Sequence, residues 1–174
     1  MTKTELQTIL KAHSRWLRSE GGKRADLQEA DLQEVNLERA DLRRADLRRA
    51  DLREANLRGV DFRETNLQEV DFRRANLQWA DLRGANLRSV DLRGADLKWA
   101  DLRQAKIRGA NLQEVNFRGA DLRGADLRGA NLREVNFGWV KLQEANLQEA
   151  DLKGQTLLEQ ISKEPPDDQK RVIV

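Results

Sequence analysis

The sequence is short of several residue types that enzymes and secreted domains rely on. Its 174 residues include no cysteine, no tyrosine and one histidine, and aromatic residues make up 5%. Without cysteine there is no disulfide framework and no thiolate chemistry. No cluster of His and Cys is available to bind a metal, and no Gly-rich phosphate loop is present. We therefore expect no catalytic residue, no cofactor and no metal site, and a fold more regular than a compact globule with a varied core.

Charge of one sign and long apolar runs are also missing. The 32 basic and 30 acidic residues nearly cancel, so net charge does not favour a nucleic-acid partner. Lys3, Glu5 and Lys11 interrupt the N-terminal segment, which differs in this from a signal peptide. Because no eighteen apolar residues occur in a row, we expect a soluble, cytoplasmic protein without a membrane segment.

A five-residue repeat fills most of the chain. Residues 25–154 form 26 consecutive units with a large apolar residue at every fifth position, from Leu27 to Leu152. A small residue, usually Ala, precedes it by two positions. Asp or Asn precedes it by one, except at Lys106 and Lys141. An unbroken period of this kind is typical of a solenoid.

The period excludes a helix and a long strand. Five residues of helix advance about 500°, which would scatter the large residues over every face. In a strand, an odd period would alternate them between two faces. A short extended segment fits, with the small and large residues inward and the Asp or Asn outward, followed by a bend. Five residues then form one side of a polygon, and successive turns stack at the strand spacing of roughly 4.8 Å.

The run from Ala80 to Gly94, ADLRGANLRSVDLRG, resembles the pentapeptide-repeat proteins. That resemblance covers 130 of 174 residues and implies an all-β solenoid, a right-handed quadrilateral β-helix of about 6.5 coils. Four units would make one coil, so that residues twenty apart stack. The family also includes acidic members that mimic DNA and bind gyrase, and this chain is not acidic.

Segments of different composition flank the repeat, and we expect both to cover its ends. Residues 1–24 are predicted to hold a capping helix from Thr4 to Ser19, with Thr4 as N-cap and Gly21-Gly22 as its stop. The apolar face of this helix consists of Leu6, Ile9, Leu10, His13, Trp16 and Leu17. Residues 155–174 are predicted to begin with a short helix at Thr156 and to end in a tail that becomes apolar at Val172.

With residues twenty apart stacked, the outward positions form columns that differ between faces. One face combines an acidic column with a basic one, and the expected result is mutual neutralisation. The two columns are Asp41, Asp61, Asp81, Asp101 and Asp121, and Arg43, Arg63, Arg83, Arg103 and Arg123.

A second face carries every tryptophan of the repeat in one column, at Trp79, Trp99 and Trp139, with Gly119 leaving a gap before the last. Two interpretations stay open. The indoles could anchor a partner, because clustered exposed aromatics mark interfaces. They could instead form a structural ladder that covers neighbouring stems and backbone. The candidate partner-binding residues are Trp79, Trp99 and Trp139, with Arg58, Lys98 and Arg118 at their edge.

The sequence thus predicts a non-enzymatic, rigid scaffold for protein–protein interaction, whose partner is another protein that the sequence does not identify. One alternative is interaction with nucleic acid or a topoisomerase, suggested by the family and by basic residues between Arg39 and Arg49. These are interleaved with Asp41 and Asp46, which disfavours a continuous phosphate-binding stripe. Another alternative is a structural module that self-associates. The expected oligomeric state is a monomer or a homodimer formed through an end.

Overall fold

A computed structural model describes residues 1–154, and in this part of the chain the repeat winds into a β-helix. Each Asp or Asn position forms a parallel bridge with the residue twenty positions later, from Asp26 with Asp46 to Asn131 with Asp151. The predicted register of twenty residues per coil is therefore confirmed. Within residues 1–154 the β structure consists of these one-residue bridges, four per coil, rather than of longer strands.

A tight turn closes every unit. The carbonyl of Leu27 accepts a hydrogen bond from the amide of Ala30 at 3.2 Å, and Glu29 between them has a φ of 55°. A positive φ at the third turn position is the feature of a type II turn. The amide of Leu27 donates to Asp46 of the next coil at 2.7 Å, and the amide of Asp46 donates back to Ala25 at 3.1 Å. Turn and inter-coil bonds together satisfy the backbone without any long strand.

The preference for Asp or Asn has a local cause that the sequence analysis did not identify. The Oδ1 atom accepts the amide of the residue two positions later, as from Gln28 to Asp26 at 3.3 Å and from Arg63 to Asp61 at 3.2 Å. This Asx turn stabilises the bend that follows the large apolar residue. Lys106 and Lys141 have no acceptor atom and cannot form it.

The interior consists of stacked apolar side chains. Leu42, Phe62 and Leu82 follow one another in a single ladder and are at most 1% exposed. Burial of one such side chain stabilises the fold by about 1.5 to 3 kcal/mol. The buried Thr65, at a small-residue position, donates its hydroxyl to the carbonyl of Leu42 at 2.8 Å, which satisfies its polar group.

Before the repeat, helix α1 spans Lys3–Leu17. The prediction of Thr4 as its N-cap is wrong. Thr2 holds that position, because its hydroxyl accepts the amide of Glu5 while the Glu5 carboxylate accepts the amide of Thr2, and together they form a capping box. The helix also ends earlier than Gly21-Gly22, with Arg18 as C-cap followed by Ser19 at a φ of 58°.

Helix α1 packs against the first coil through Leu6, Ile9 and Leu10. His13 is fully buried, and its Nδ1 accepts the amide of Ala25 at 3.1 Å, where the repeat begins. The ring of Trp16 stacks on His13 at 5.6 Å. Burial lowers the pKa of His13, which favours the neutral ring that can accept this bond.

The predicted C-terminal helix at Thr156 and the apolar tail lie outside the described residues. Over residues 1–154 no helix is long and apolar enough to cross a membrane.

Candidate protein-binding surface

Two residues of the unit decide the chemistry of each wall, namely the Asp or Asn in second position and the residue in fourth position. Where Asp is second and Arg is fourth, the guanidinium binds the carboxylate through two nitrogens. In the pair of Asp61 and Arg63, Nε lies 2.9 Å from Oδ1 and Nη2 lies 2.6 Å from Oδ2. We call this pair a clamp. Clamps form in all ten units of this composition, at Asp41, Asp46, Asp51, Asp61, Asp71, Asp81, Asp91, Asp101, Asp121 and Asp126.

Five of the ten clamps also connect consecutive coils. The guanidinium of Arg63 lies 3.5 Å from Asp81 of the following coil as well as 2.6 Å from its own Asp61. The bond from Arg128 lowers the pKa of Asp126 to about 2, and the bond from Asp61 raises the pKa of Arg63. Each guanidinium is thus held in one position against the wall, and its charge is neutralised locally.

The wall formed by units 35–39, 55–59, 75–79, 95–99, 115–119 and 135–139 is built differently, and we call it the Trp wall. Its second position is Asn in five of these six units. Arg58 and Arg118 therefore have Asn56 and Asn116 where a clamp would require Asp. The amide oxygen still forms the Asx turn, for example with the amide of Arg118 at 3.2 Å, but it does not hold the guanidinium.

Freed in this way, Arg118 lies over an indole. Its Cζ atom is 4.0 Å from the centre of the Trp139 ring, within the range of a cation–π contact. Lys98 behaves otherwise, because Asp96 is the one acid in this column and binds its ammonium at 3.2 Å. Asp96 also accepts a hydrogen bond from Gln78 at 2.8 Å. Arg58 is exposed on the same wall.

The three tryptophans form one stack along the rod. Trp79 and Trp99 lie on adjacent coils, stacked with ring centres 5.7 Å apart. Trp99 and Trp139 are two coils apart, yet their ring centres are 6.2 Å apart. The predicted gap at Gly119 is therefore wrong. The ring of Trp99 leans over that glycine, where a Cβ atom would lie 2.3 Å from its Cε3 atom.

The three tryptophans occupy the positive-φ position of the turn that closes each unit. Trp79, Trp99 and Trp139 have φ values of 61°, 60° and 58°, in the left-handed region that glycine tolerates best. For other residues this region costs about 1 kcal/mol or more. Trp79 nevertheless stays 41% exposed at the open end of the stack. Below the wall, Phe117 and Phe137 stack at 6.1 Å and support the same coils from inside.

The structure thus brings together four of the six predicted residues, namely the three tryptophans and Arg118. Lys98 is on the same wall but paired with Asp96, and Arg58 lies there without a carboxylate partner among residues 1–154. Sequence reasoning missed the part played by Asn116. The signal was present, because Asn replaces Asp on this wall in front of Arg118. No three His, Asp or Glu side chains in the described part of the chain are placed to bind a metal.

Comparison with known proteins agrees with the repeat geometry. The family described as pentapeptide repeats in eight copies matches residues 23–59, 71–109, 110–148 and 120–157, more than half of the chain. Comparison with curated protein sequences gives no significant match.

Several solved structures align with this chain. A trypsin-treated form of QnrB1, a plasmid-mediated fluoroquinolone resistance protein, aligns with a TM-score of 0.52 and 21% identity over 82% of this chain and 86% of that one. Rfr23 from the cyanobacterium Cyanothece 51142 aligns with a TM-score of 0.40 and 24% identity, over 83% and 95% of the two chains. HetL from a Nostoc strain, involved in the regulation of heterocyst differentiation, aligns with a TM-score of 0.25 and 26% identity, over 81% and 93%.

At 21% identity the alignment with QnrB1 shows the fold of the chain and not its partner. The family match covers the same repeat whose coils, turns and Asx bonds are described above. The chain belongs to the pentapeptide-repeat family.

Proposed function

We propose that this protein is a non-enzymatic scaffold that binds another protein through the Trp wall. The observation that carries the proposal is the stack of Trp79, Trp99 and Trp139, with one indole 41% exposed and an unclamped arginine at its other end. Trp79, Trp99 and Trp139 would be the anchors, and Arg58, Lys98 and Arg118 would contact polar groups at their edge. The coils would wind in the right-handed sense that the family resemblance implies.

The chemistry of the wall suits a protein partner. Tryptophan and arginine are the residues that most often dominate binding energy at protein interfaces. The stack is rigid, because it follows the fixed spacing of the coils, so binding would order few side chains. The wall has four basic residues, Arg39, Arg58, Lys98 and Arg118, against two acidic ones, Glu38 and Asp96. This balance favours a partner surface that is apolar at its centre and acidic at its rim.

The clamped walls are poor candidates for the same role. On the two walls that flank the Trp wall, the clamped guanidinium groups are already bound to carboxylates at 2.6 to 2.7 Å, and a partner would have to break those bonds to reach them. Their acidic columns are neutralised by the same contacts, so they do not present a uniform negative surface of the kind that would imitate DNA.

The test is affinity capture from the native host, followed by binding measurements with the purified partner. Replacing Trp79 and Trp99 by Ala should weaken binding by about tenfold or more, because each removes a large apolar contact. The matched control is Arg83→Ala with Arg103→Ala on a clamped wall, which should leave binding within about twofold. Circular dichroism would verify that both variants keep the β-helix.

Equal binding of the wild type and the tryptophan variant would refute the proposal, as would loss of binding in the control alone. A DNA mobility shift and a supercoiling assay at low salt test the nucleic-acid and topoisomerase alternative. Activity in either assay that survives the tryptophan replacements would favour that alternative over the proposed scaffold role.

A further inference from the structure

The wall opposite the Trp wall contains a group of basic residues that breaks the clamp pattern. This wall is two units away from the Trp wall in the four-unit coil and is formed by units 25–29, 45–49, 65–69, 85–89, 105–109, 125–129 and 145–149. Clamps hold Arg48 and Arg128 near its two ends. Between them, Asn86 and Lys106 occupy the second position in front of Arg88 and Arg108. We call Arg88, Lys106 and Arg108 the cationic window.

These three residues are held on adjacent coils by the backbone ladder. Asn86 bridges Lys106, and the amide of Ser89 donates to the carbonyl of Arg108 at 3.1 Å. The two arginines therefore follow each other at the strand spacing, about 4.8 Å along the rod. All three basic side chains are exposed. Because they extend from two adjacent coils of one wall, their like charges repel one another.

Nearby carboxylates are occupied by other partners. Asp126, on the next coil, is clamped by Arg128 at 2.7 Å. Glu69, on the preceding coil, binds Arg49 at 3.0 Å. The residues that directly precede units 85–89 and 105–109, Gly84 and Gln104, carry no charge. Arg108 helps to lower the pKa of Asp126, but within residues 1–154 no carboxylate forms an ion pair within 4 Å of a residue of the cationic window, unlike the ten arginines in clamps.

The amide that replaces the clamp carboxylate is also poorly satisfied. Asn86 forms no Asx bond to the amide of Arg88, and its Oδ1 is buried without a hydrogen-bond partner among the described residues. In this unit the Asx acceptor is present but unused, and Arg88 lacks the carboxylate that would clamp it.

We propose that the cationic window binds a phosphate dianion. A guanidinium presents a planar pair of donors that matches two phosphate oxygens, and an ammonium supplies a further charged donor. Ser89 and Gly109 border the window and are exposed, and the Ser89 hydroxyl supplies one more neutral donor. A singly charged carboxylate would leave more of the positive charge unbalanced than phosphate does.

The test is a titration of the full chain with inorganic phosphate at low ionic strength and about pH 8, where phosphate is a dianion. Backbone amide NMR signals of Ser89 and Gly109 should shift and saturate. Lys106→Asp replaces an ammonium with a carboxylate that can clamp Arg108, and it should weaken binding by about tenfold or more. Arg88→Gln provides a second variant that keeps Lys106.

The matched control is Lys141→Asp, which makes the same charge change at the same position of a unit on a neighbouring wall. It should alter phosphate affinity by less than about twofold. Absence of a saturable shift at Ser89 and Gly109, or equal losses in the Lys106→Asp and Lys141→Asp variants, would overturn the proposal. So would binding of single-stranded DNA without any binding of inorganic phosphate, because the site would then recognise a polymer.

Discussion

Two neighbouring walls, the clamped wall with Asp61 and Arg63 and the Trp wall, share one interior but differ in the chemistry of their outer surfaces. Both are built on apolar ladders that are almost completely buried, and both use the same turns and Asx bonds. On the clamped wall the second residue of the unit is Asp, and the arginine two positions later is fixed and neutralised. On the Trp wall it is mostly Asn, and Arg118 is free to lie over Trp139.

The difference shows how a regular solenoid acquires one distinctive surface. Exchange of a carboxylate for an amide keeps the Asx acceptor, so the coil still forms, but it removes the anion that would hold the arginine. Fold and surface chemistry are thus specified by different atoms of the same side chain. The predictions below separate these two roles.

The largest losses of stability are expected from truncating buried side chains, and these losses should be equal on the two walls. Leu82 faces inward from the clamped wall and Leu97 from the Trp wall, and each is at most 1% exposed. Replacing either by Ala should cost about 2 to 5 kcal/mol of unfolding free energy, because a cavity is left in the ladder. Denaturant unfolding of the two variants measures this. A much smaller loss at Leu97 would mean that the interiors differ as well as the exteriors.

A smaller effect should follow from adding one methyl group under the tryptophan stack. Gly119 has a φ of 72°, and in Gly119→Ala the new Cβ atom would overlap the Trp99 ring. We therefore expect the free energy of unfolding to fall by about 1 to 3 kcal/mol and Trp99 to separate from Trp139. Thermal unfolding and tryptophan fluorescence measure the two effects.

Gly84→Ala on a clamped wall is the matched control for that change. Gly84 has a φ of 65° and nothing within 4 Å of its built Cβ, so this variant carries the backbone strain without the clash. Equal losses in the two variants would show that the strain, and not the stack, determines the cost at Gly119.

Acid should affect the clamped walls and not the Trp stack. The pKa of Asp126 is lowered to about 2, so the stability that its clamp contributes is fully present above about pH 4 and is lost as the pH falls through about 2. The side chains are partly exposed, which limits the effect to about 1 kcal/mol per clamp at most. Carboxylate NMR titration should show the lowered pKa, whereas the contact of Arg118 with Trp139 should persist until unfolding. A Trp139 signal that titrates together with Asp126 would contradict this separation.

The smallest effect concerns one clamp. Asp81→Asn keeps the Asx acceptor but removes the anion bound by Arg83 at 2.6 Å and approached by Arg63 at 3.5 Å. We expect Asp81→Asn to lower the free energy of unfolding by about 0.2 to 1 kcal/mol. Asp81→Ala removes the acceptor too, and should cost about 1 kcal/mol more. If the two variants unfold at the same denaturant concentration, the Asx bond contributes nothing measurable.

Much of this arrangement could be predicted from the sequence, because the fold repeats one local rule. The period of five fixed the inward ladders, and the register of twenty placed Trp79, Trp99 and Trp139 in one column. The lean of Trp99 over Gly119 could not be predicted, because it depends on the side-chain rotamer in three dimensions. The N-cap of α1 at Thr2 instead of Thr4 was missed because both threonines can act as N-caps and only geometry distinguishes them.

A crystal structure of the Asn116→Asp variant tests the central claim most directly. The account predicts that the guanidinium of Arg118 leaves its position 4.0 Å above the Trp139 ring and binds the introduced carboxylate with the clamp geometry, at about 2.6 to 2.9 Å. The coil should otherwise be unchanged. An Arg118 that stays over Trp139 would show that the residue in second position does not decide which arginines are free.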